Sequence, residues 1–173
     1  VRYSDLIGKH NFKKKDVDIF LPPSLSSFDE TNVEVRYLGY YLKWIPQEVF
    51  YYSVKNCGFK PRPFRTSGTY SKYSGLDDKI DDLHFYTTYI KFGLGRATYD
   101  VAQELRNGHL TIEEGKKLIQ KYDGEFPDRY FSEIMKYLSL KPKEFFKIVD
   151  KFRSPHLWKK NKQKWTLRHA AYK

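Results

Sequence analysis

The strongest constraint on the fold is a series of amphipathic stripes that begins near residue 76. Apolar residues recur there at the three- and four-residue spacing of a helix, and glycine or proline interrupts the series repeatedly. We therefore predict at least four helices between residues 76 and 152. The first stripe consists of Leu76, Ile80, Leu83, Thr87 and Ile90.

Local signals place several boundaries of these helices. Gly93 is predicted to end the first, and Thr98 to begin the next. Thr111 and Glu114 form a capping box that opens another helix. Pro142 suits the first position of the last helix.

The first third of the chain carries strand signals instead. Apolar and polar residues alternate there, which predicts a strand near residues 34–41. A helix is predicted near residues 46–57, with Pro46 at its start and Cys57 as a buried thiol on its apolar face. The predicted fold class is an α/β remnant over residues 1–75, followed by a mainly α region with a basic tail over 76–173.

The charge is concentrated at the C-terminal end. The formal net charge is +11, and residues 151–173 hold eight Lys or Arg residues and no acid. Such a tail could touch phosphates, but a solvated end is the simpler interpretation, with a short closing strand at Lys164–Arg168.

No apolar run reaches the ~18 residues of a membrane-spanning helix, so we expect no membrane insertion. A single cysteine excludes an internal disulfide framework, and the cytoplasm is the expected location.

The segment 65–75 is the first candidate for ligand binding. It is rich in hydroxyls and glycine and leads into a predicted helix N-terminus, where backbone N–H groups can hold a phosphate or carboxylate. It does not match the Walker phosphate loop. The alternative is that Ser74 simply caps the helix. The candidate ligands are Arg65, Thr69, Tyr70 and Lys72.

An acidic run follows this segment. On a helix, Asp77, Asp81 and His84 would share one face, and carboxylates one turn apart suit a Mg²⁺ that also binds phosphate oxygens. Asp77 and Asp81 are therefore candidate metal ligands. The alternative is an acidic first turn that complements the helix dipole.

The third candidate is the corner at residues 91–98. Two glycines allow close backbone approach, and Arg96 just before a helix could clamp a phosphate or carboxylate. The alternative is a plain helix–helix corner capped by Gly93 and Thr98. Since the acidic run needs compensating cations, we predict that Lys72, Asp77, Asp81 and Arg96 face one cleft.

Several stretches in a specific order resemble the C-terminal half of the N-acetyl sugar amidotransferases, which belong to the PP-loop ATP pyrophosphatase superfamily. The resemblance covers about residues 4–169. It includes Tyr37–Trp44, Gly68–Ser74, Asp77–Asp82, Lys91–Thr98, Arg106–Gly108, Glu114–Gly115, Lys121–Glu125 and Phe152–Trp158.

The resemblance implies a role in surface-polysaccharide biosynthesis, such as that of lipopolysaccharide O-antigen. The implied reaction uses ATP to convert an acetamido group on a nucleotide-linked sugar to an acetamidino group, with ammonia from a separate glutaminase subunit. The chain departs from the family in lacking the Ser-Gly-Gly-x-Asp-Ser loop that cradles ATP phosphates. We therefore expect it to be part of a longer enzyme and inactive alone, and a homo-oligomer is possible.

Two other functions remain open at this level. One is a basic RNA-binding helical appendage of a tRNA-modifying PP-loop enzyme, supported by the cationic tail and the many tyrosines. The other is a helical partner module without a ligand.

Overall fold

The computed structural model describes residues 7, 12–22, 24–31, 34–162 and 164–173. The chain divides into two compact units, one up to Lys43 and one from Trp44 to Lys173. Within these residues the fold is mainly helical with one small sheet.

The first unit contains short helices. They are α1 (Lys14–Val17), continued by a 3₁₀ turn (Asp18–Phe20), α2 (Leu25–Thr31) and α3 (Leu38–Tyr41).

The predicted strand near residues 34–41 is wrong. Residues 34–37 have no regular structure, and α3 forms in its place. Local hydrogen bonds decide this outcome, since the Leu42 N–H donates to the Leu38 carbonyl at 3.0 Å. A strand needs a partner, and the described residues of this unit provide none. No α/β remnant is therefore seen in the described part of the first unit.

The second unit contains six longer helices and a hairpin. The helices are α4 (Pro46–Asn56), α5 (Asp81–Phe92), α6 (Arg96–Arg106), α7 (Ile112–Tyr122), α8 (Asp128–Tyr137) and α9 (Pro142–Lys151). The strands are β1 (Trp158–Asn161) and β2 (Lys164–Leu167). The segment 44–75 belongs to this same compact unit.

Helix α4 confirms the helix predicted near residues 46–57, with Pro46 in its first turn. None of its residues is buried, and Cys57 after it is exposed. The expectation of a buried thiol is therefore wrong. The apolar face of α4 is covered only in part, because Phe50 stacks on Tyr73 while Val54 and Cys57 are exposed.

Helix α5 begins at Asp81, five residues later than its apolar stripe predicts. The Ile80 N–H donates to Asp78 Oδ1 at 2.8 Å, so a side chain takes over a hydrogen bond that a longer helix would make. Gly93 ends α5 in the left-handed region (φ 72°), as predicted. The Thr111–Glu114 capping box and Pro142 in the first turn of α9 are also confirmed.

The main core lies between α5, α8 and α9. Aromatic rings surround it, including Phe126 and Phe131 at 4.8 Å between ring centres. Burying each large apolar side chain contributes about 1.5–3 kcal/mol, which fixes the relative positions of these three helices. The fully buried members are Leu83, Ile90, Ile134, Met135, Phe145 and Val149.

The basic tail folds into an antiparallel hairpin in which Trp158 pairs with Leu167. Trp158 is only 4% exposed, and its Nε1 donates to the Ile90 carbonyl of α5 at 2.8 Å. The closing strand predicted near residue 164 is confirmed. The lysines of the hairpin are exposed to solvent, as expected, but the end is not free, because the buried Trp158 indole anchors the hairpin to the core.

Candidate functional site

The loop between α4 and α5 is held by its own hydroxyls. Thr66 and Thr69 are fully buried, and Thr66 Oγ1 donates to the Ser74 carbonyl at 2.5 Å. The Thr66 N–H donates to the Ser71 carbonyl at 3.0 Å. These bonds satisfy backbone groups that burial would otherwise leave unpaired. The hydroxyl-rich composition of the loop thus has a structural cause.

Asp100 of α6 fastens this loop to the helix. Its Oδ2 accepts from Thr69 Oγ1 at 2.5 Å, and its Oδ1 accepts from Arg96 Nε at 2.9 Å. Arg96 Nη2 also donates to Ser74 Oγ at 3.2 Å. Burial raises the pKa of Asp100, and the Arg96 charge opposes that effect. Arg96 is therefore oriented by contacts within the domain.

A cavity of about 210 Å³ opens between this loop and α6, and we call it the tyrosine cavity. Its wall combines aromatic rings with an arginine and two carboxylates. The lining residues are Trp44, Pro46, Tyr70, Ser71, Tyr73, Arg96, Tyr99, Asp100, Gln103 and Glu104.

The Tyr70 hydroxyl is buried and has no hydrogen-bond partner within the part of the chain that the structure describes. Burial raises the pKa of Tyr70, and the carboxylates of Asp100 and Glu104 raise it further. Burial likewise raises the pKa of Tyr73 to about 12, and its hydroxyl donates to Gln47 Oε1 at 3.1 Å. Both phenols are therefore neutral at physiological pH, and Tyr70 has an uncommitted proton to donate.

Glu104 provides the second carboxylate of the cavity. It is 9% exposed, and its Oε2 lies 2.8 Å from Nδ1 of His109. At the mouth, Trp44 is 64% exposed and Tyr99 is 54% exposed. The cavity thus has aromatic faces at its entrance and hydrogen-bonding groups further in.

The predicted binding residues separate into different settings. Arg96 and Tyr70 line the tyrosine cavity, and Thr69 supports it through Asp100. Lys72 is exposed and does not line this cavity. Asp77 and Asp81 do not line it either, so the tyrosine cavity is not the predicted cleft that Lys72, Asp77, Asp81 and Arg96 would share.

Arg65 is engaged with Glu125. Its two terminal nitrogens donate to the two carboxylate oxygens, Nη1 to Oε2 at 2.5 Å. The same oxygen accepts the Gly68 N–H at 2.8 Å. The guanidinium also lies 4.8 Å from the centre of the Tyr122 ring. Arg65 therefore holds the loop against the α7–α8 connection.

The acidic run is arranged differently from the prediction. Asp77 precedes α5, so it does not share a helical face with Asp81. Burial raises the pKa of Asp81, and the charges of Asp77 and Asp78 raise it further. Among the described residues, no three His, Cys, Asp or Glu side chains are grouped so that they could hold a metal ion. The role of Asp77 and Asp81 as metal ligands stays a prediction.

Compensation for this run comes from Arg62, which the sequence analysis did not single out. Its Nη1 lies 3.2 Å from Oδ1 of Asp82, and both side chains are largely buried. Ser67 Oγ also donates to Asp82 Oδ2, at 3.1 Å. An aspartate beside Leu83 on the inward side of a helix requires a partner, and that signal could have been read from the sequence.

The corner before α6 is capped by Asp123. The helix begins at Arg96, so Thr98 is not the N-cap residue, although the predicted corner itself is present. Asp123 accepts the Gly95 N–H at 3.0 Å and the Thr98 N–H at 3.1 Å. These bonds satisfy free N–H groups of the first turn of the helix.

Sequence reasoning also missed Tyr73, Tyr99 and Glu104. One usable signal was the four-residue spacing of Arg96, Asp100 and Glu104, which places an arginine and two carboxylates on one face of a helix.

Comparison with known families gives a match to the model described as "LPS biosynthesis protein WbpG-like, C-terminal domain", over residues 67–171. The match spans more than half of the 173 residues. The chain belongs to this family. The WbpG-like segment includes the lining of the tyrosine cavity except Trp44 and Pro46.

The match confirms the resemblance drawn from the sequence at the level of a WbpG-like C-terminal domain, and it associates the chain with lipopolysaccharide biosynthesis. A comparison with curated proteins finds none that matches. Of the helices in the described ranges, none has the length and apolar character needed to cross a membrane.

Proposed function

We propose that the chain is the C-terminal part of an ATP-consuming sugar amidotransferase, and that the tyrosine cavity binds the N-acetyl sugar of a nucleotide-linked substrate. Membership of the WbpG-like family supports a biosynthetic enzyme. The buried Tyr70 hydroxyl without a partner carries the assignment of the cavity. An unsatisfied buried polar group costs about 1–3 kcal/mol, and a ligand hydroxyl or carbonyl would remove that cost.

The proposed reaction exchanges the amide oxygen of the acetamido group for nitrogen. This oxygen is a poor leaving group until it attacks ATP, which forms an adenylate and releases pyrophosphate. Ammonia then adds to the activated carbon, and AMP departs as the amidine forms. A separate glutaminase subunit would supply the ammonia. In a longer enzyme, this chain would orient the sugar for these steps.

The cavity residues fit a polar ring with one apolar face. The exposed rings of Trp44 and Tyr99 can cover the apolar face. Gln103 Nε2 lies 3.2 Å from the Tyr99 hydroxyl, which places an amide beside that ring. Asp100 and Glu104 can accept hydrogen bonds from sugar hydroxyls, and Tyr70 can donate one.

ATP and Mg²⁺ belong to the same proposal. Mg²⁺ is typically held by one or two carboxylates together with phosphate oxygens, so Asp77 and Asp81 are sufficient in number. Burial is the main reason that the pKa of Asp81 is raised, and the charges of Asp77 and Asp78 raise it further; a divalent cation would offset the effect of those charges. Lys72 is exposed on the preceding loop and is the proposed phosphate contact. Arg65 and Thr69 are instead assigned to supporting the loop, because Arg65 donates hydrogen bonds to Glu125 and Thr69 donates one to Asp100.

The cavity assignment is tested by calorimetric titration of the chain with a nucleotide-linked N-acetyl hexosamine, which measures the affinity for that ligand. Tyr70→Phe removes only the hydroxyl and should weaken binding about tenfold, which is about 1.4 kcal/mol. Tyr137→Phe is the matched control, since Tyr137 is 75% exposed and lies outside the cavity. Equal affinity for the nucleotide with and without its sugar, or equal losses in the two variants, would contradict the assignment.

The metal assignment is tested separately. Asp77→Asn combined with Asp81→Asn should weaken Mg²⁺ binding in the presence of ATP at least tenfold. Asp128→Asn, which removes an exposed carboxylate at the start of α8, should leave it unchanged. Retained Mg²⁺ affinity in the double variant would assign the metal elsewhere.

A further inference from the structure

The charges in the wall of the tyrosine cavity do not cancel. Arg96 Nε lies 2.9 Å from Asp100 Oδ1, so one cation is matched with one carboxylate. The carboxylate of Glu104 remains, and the described residues provide no lysine or arginine that forms an ion pair with it. The lining thus holds one arginine and two carboxylates, which leaves an excess of negative charge.

Glu104 is held so that one of its oxygens stays available. Its Oε2 lies 2.8 Å from Nδ1 of His109, and an ionised carboxylate only accepts hydrogen bonds, so this nitrogen carries a proton. The backbone N–H of His109 also donates to the Glu104 carbonyl at 2.9 Å, which ties His109 to the last turn of α6. Within the part of the chain that the structure describes, Oε1 makes no hydrogen bond, so it can accept one from a ligand.

The position of Glu104 makes its charge costly. The residue is 9% exposed, and a buried carboxylate without a cation loses hydration that nothing replaces. Burial raises the pKa of Tyr70 and of Tyr73, and the Glu104 charge raises both further, which shows that the carboxylate acts on both phenols. A cationic ligand group beside Glu104 would offset this excess charge.

The aromatic rings of the cavity suit a planar cation. The Arg96 guanidinium already lies 4.9 Å from the centre of the Tyr99 ring. Trp44, whose ring type attracts cations most strongly, is 64% exposed at the mouth. An amidinium is planar and delocalised like a guanidinium, and its two parallel N–H groups match the two oxygens of a carboxylate. Each carboxylate oxygen has two lone pairs, so Oε2 of Glu104 can accept a second bond beside that from His109.

We propose that the tyrosine cavity binds a cationic amidinium more tightly than the neutral amide from which it is formed, and that Glu104 makes this distinction. The inference rests on the proposed function, in which an acetamido group becomes an acetamidino group in this cavity. Exchanging the amide oxygen for nitrogen turns a neutral group into one that is protonated at neutral pH. Only the product can therefore form an ion pair with Glu104, and it should compete with the substrate for the cavity.

The test uses two probes of the same shape, benzamidine and benzamide, of which only benzamidine is charged at neutral pH. Calorimetric titration of the 173-residue chain measures the affinity for each probe. Because a hydrogen bond to a charged group contributes about 1.5–3 kcal/mol, we expect benzamidine to bind about tenfold or more tightly than benzamide.

Glu104→Gln keeps the size of the side chain and removes its charge. It should reduce the ratio of the two affinities to about threefold or less. Glu133→Gln is the matched control, because Glu133 is an exposed carboxylate of α8 that does not line the tyrosine cavity, and it should leave the ratio unchanged. Circular dichroism shows whether each variant is folded.

Competition relates the probes to the proposed substrate. A nucleotide-linked N-acetyl hexosamine should displace benzamidine from the parent chain, since both would occupy the tyrosine cavity. If this nucleotide sugar displaces benzamidine but the two probes bind equally well, the sugar assignment stands and the inference about Glu104 fails. If benzamidine binds through Glu104 and the nucleotide sugar does not bind, the sugar assignment fails and the cavity is a site for another organic cation.

Three results would overturn the inference. The first is equal affinity of the parent chain for benzamidine and benzamide, which needs no variant and holds even if Glu104→Gln does not fold. The second is a preference for benzamidine that persists in folded Glu104→Gln. The third is an equal loss of preference in Glu104→Gln and Glu133→Gln, which would trace it to the overall charge of the chain.

Discussion

Replacing Glu125 by glutamine tests how the loop that forms the tyrosine cavity is held. Glu125 accepts two hydrogen bonds from Arg65 and one from the Gly68 N–H. Hydrogen bonds to a charged group contribute about 1.5–3 kcal/mol when they are buried. Arg65 and Glu125 are 37% and 30% exposed, so solvent screening reduces that contribution. Glutamine keeps one acceptor oxygen, and we expect a loss of about 1–2 kcal/mol in unfolding free energy.

The assay is urea unfolding at neutral pH, followed by circular dichroism. Glu133→Gln is the matched control, because Glu133 pairs with Lys79 at 2.8 Å while both side chains are more than half exposed. An exposed pair of this kind contributes between about 0 and 1 kcal/mol. In a domain of this size, a loss of 1 kcal/mol lowers Tm by about 2–4 °C, so thermal unfolding gives an independent measure.

The pH dependence adds a second readout. Burial acts to raise the pKa of Glu125, but the hydrogen bonds from Arg65 and Gly68 outweigh it, and the pKa is lowered from 4.5. The stabilisation by this carboxylate is therefore fully present above pH 4.5 and is lost as the pH falls through the lowered value. The difference between parent and Glu125→Gln should shrink in acid. Equal costs for the two glutamine variants, or a difference that is independent of pH, would refute the reasoning.

Three further outcomes are expected. In Gly124→Ala, the new Cβ would clash with the Tyr89 ring, and the φ of 77° would be strained, so urea unfolding should show a loss above about 2 kcal/mol in unfolding free energy. In Trp158→Phe, the bond to Ile90 disappears, and Tm should fall by several degrees, reflecting about 1–2 kcal/mol. In the proposed sugar amidotransferase, Arg96→Ala should lower kcat/KM for amidine formation more than tenfold, and a change within about twofold would limit Arg96 to a structural role.

The sequence predicted the features that depend on neighbouring residues. The capping box at Thr111, the first-turn proline of α9 and the left-handed Gly93 are local, and each is where the pattern placed it. The strand near residues 34–41 failed because a strand depends on a distant partner. The sequence analysis also missed β1, the partner of β2, since Trp158 is the one apolar residue among the four residues of this strand.

The candidate site was only partly predictable. Arg96 and Tyr70 stood out because each sits beside glycines in a segment rich in polar groups. The cavity itself lies between two separate segments, since the loop that carries Tyr70 folds back onto α6, which begins at Arg96. The pairing of Arg62 with Asp82 likewise joins residues 20 positions apart. No local pattern specifies such contacts.

The hydroxyl-rich loop has a consequence for the order in which the domain assembles. Its hydrogen bonds join residues that are far apart in the chain. Ser67 and Asp82 are 15 positions apart, Thr69 and Asp100 are 31 apart, and Arg65 and Glu125 are 60 apart. The loop gains these bonds only after α5, α6 and the α7–α8 connection are in place, so closing it belongs to a late step of folding. Exchange of the Gly68 amide proton, which Glu125 protects, would then report on completed folding rather than on any single helix. This wall of the tyrosine cavity would then be among the last parts of the second unit to acquire its shape.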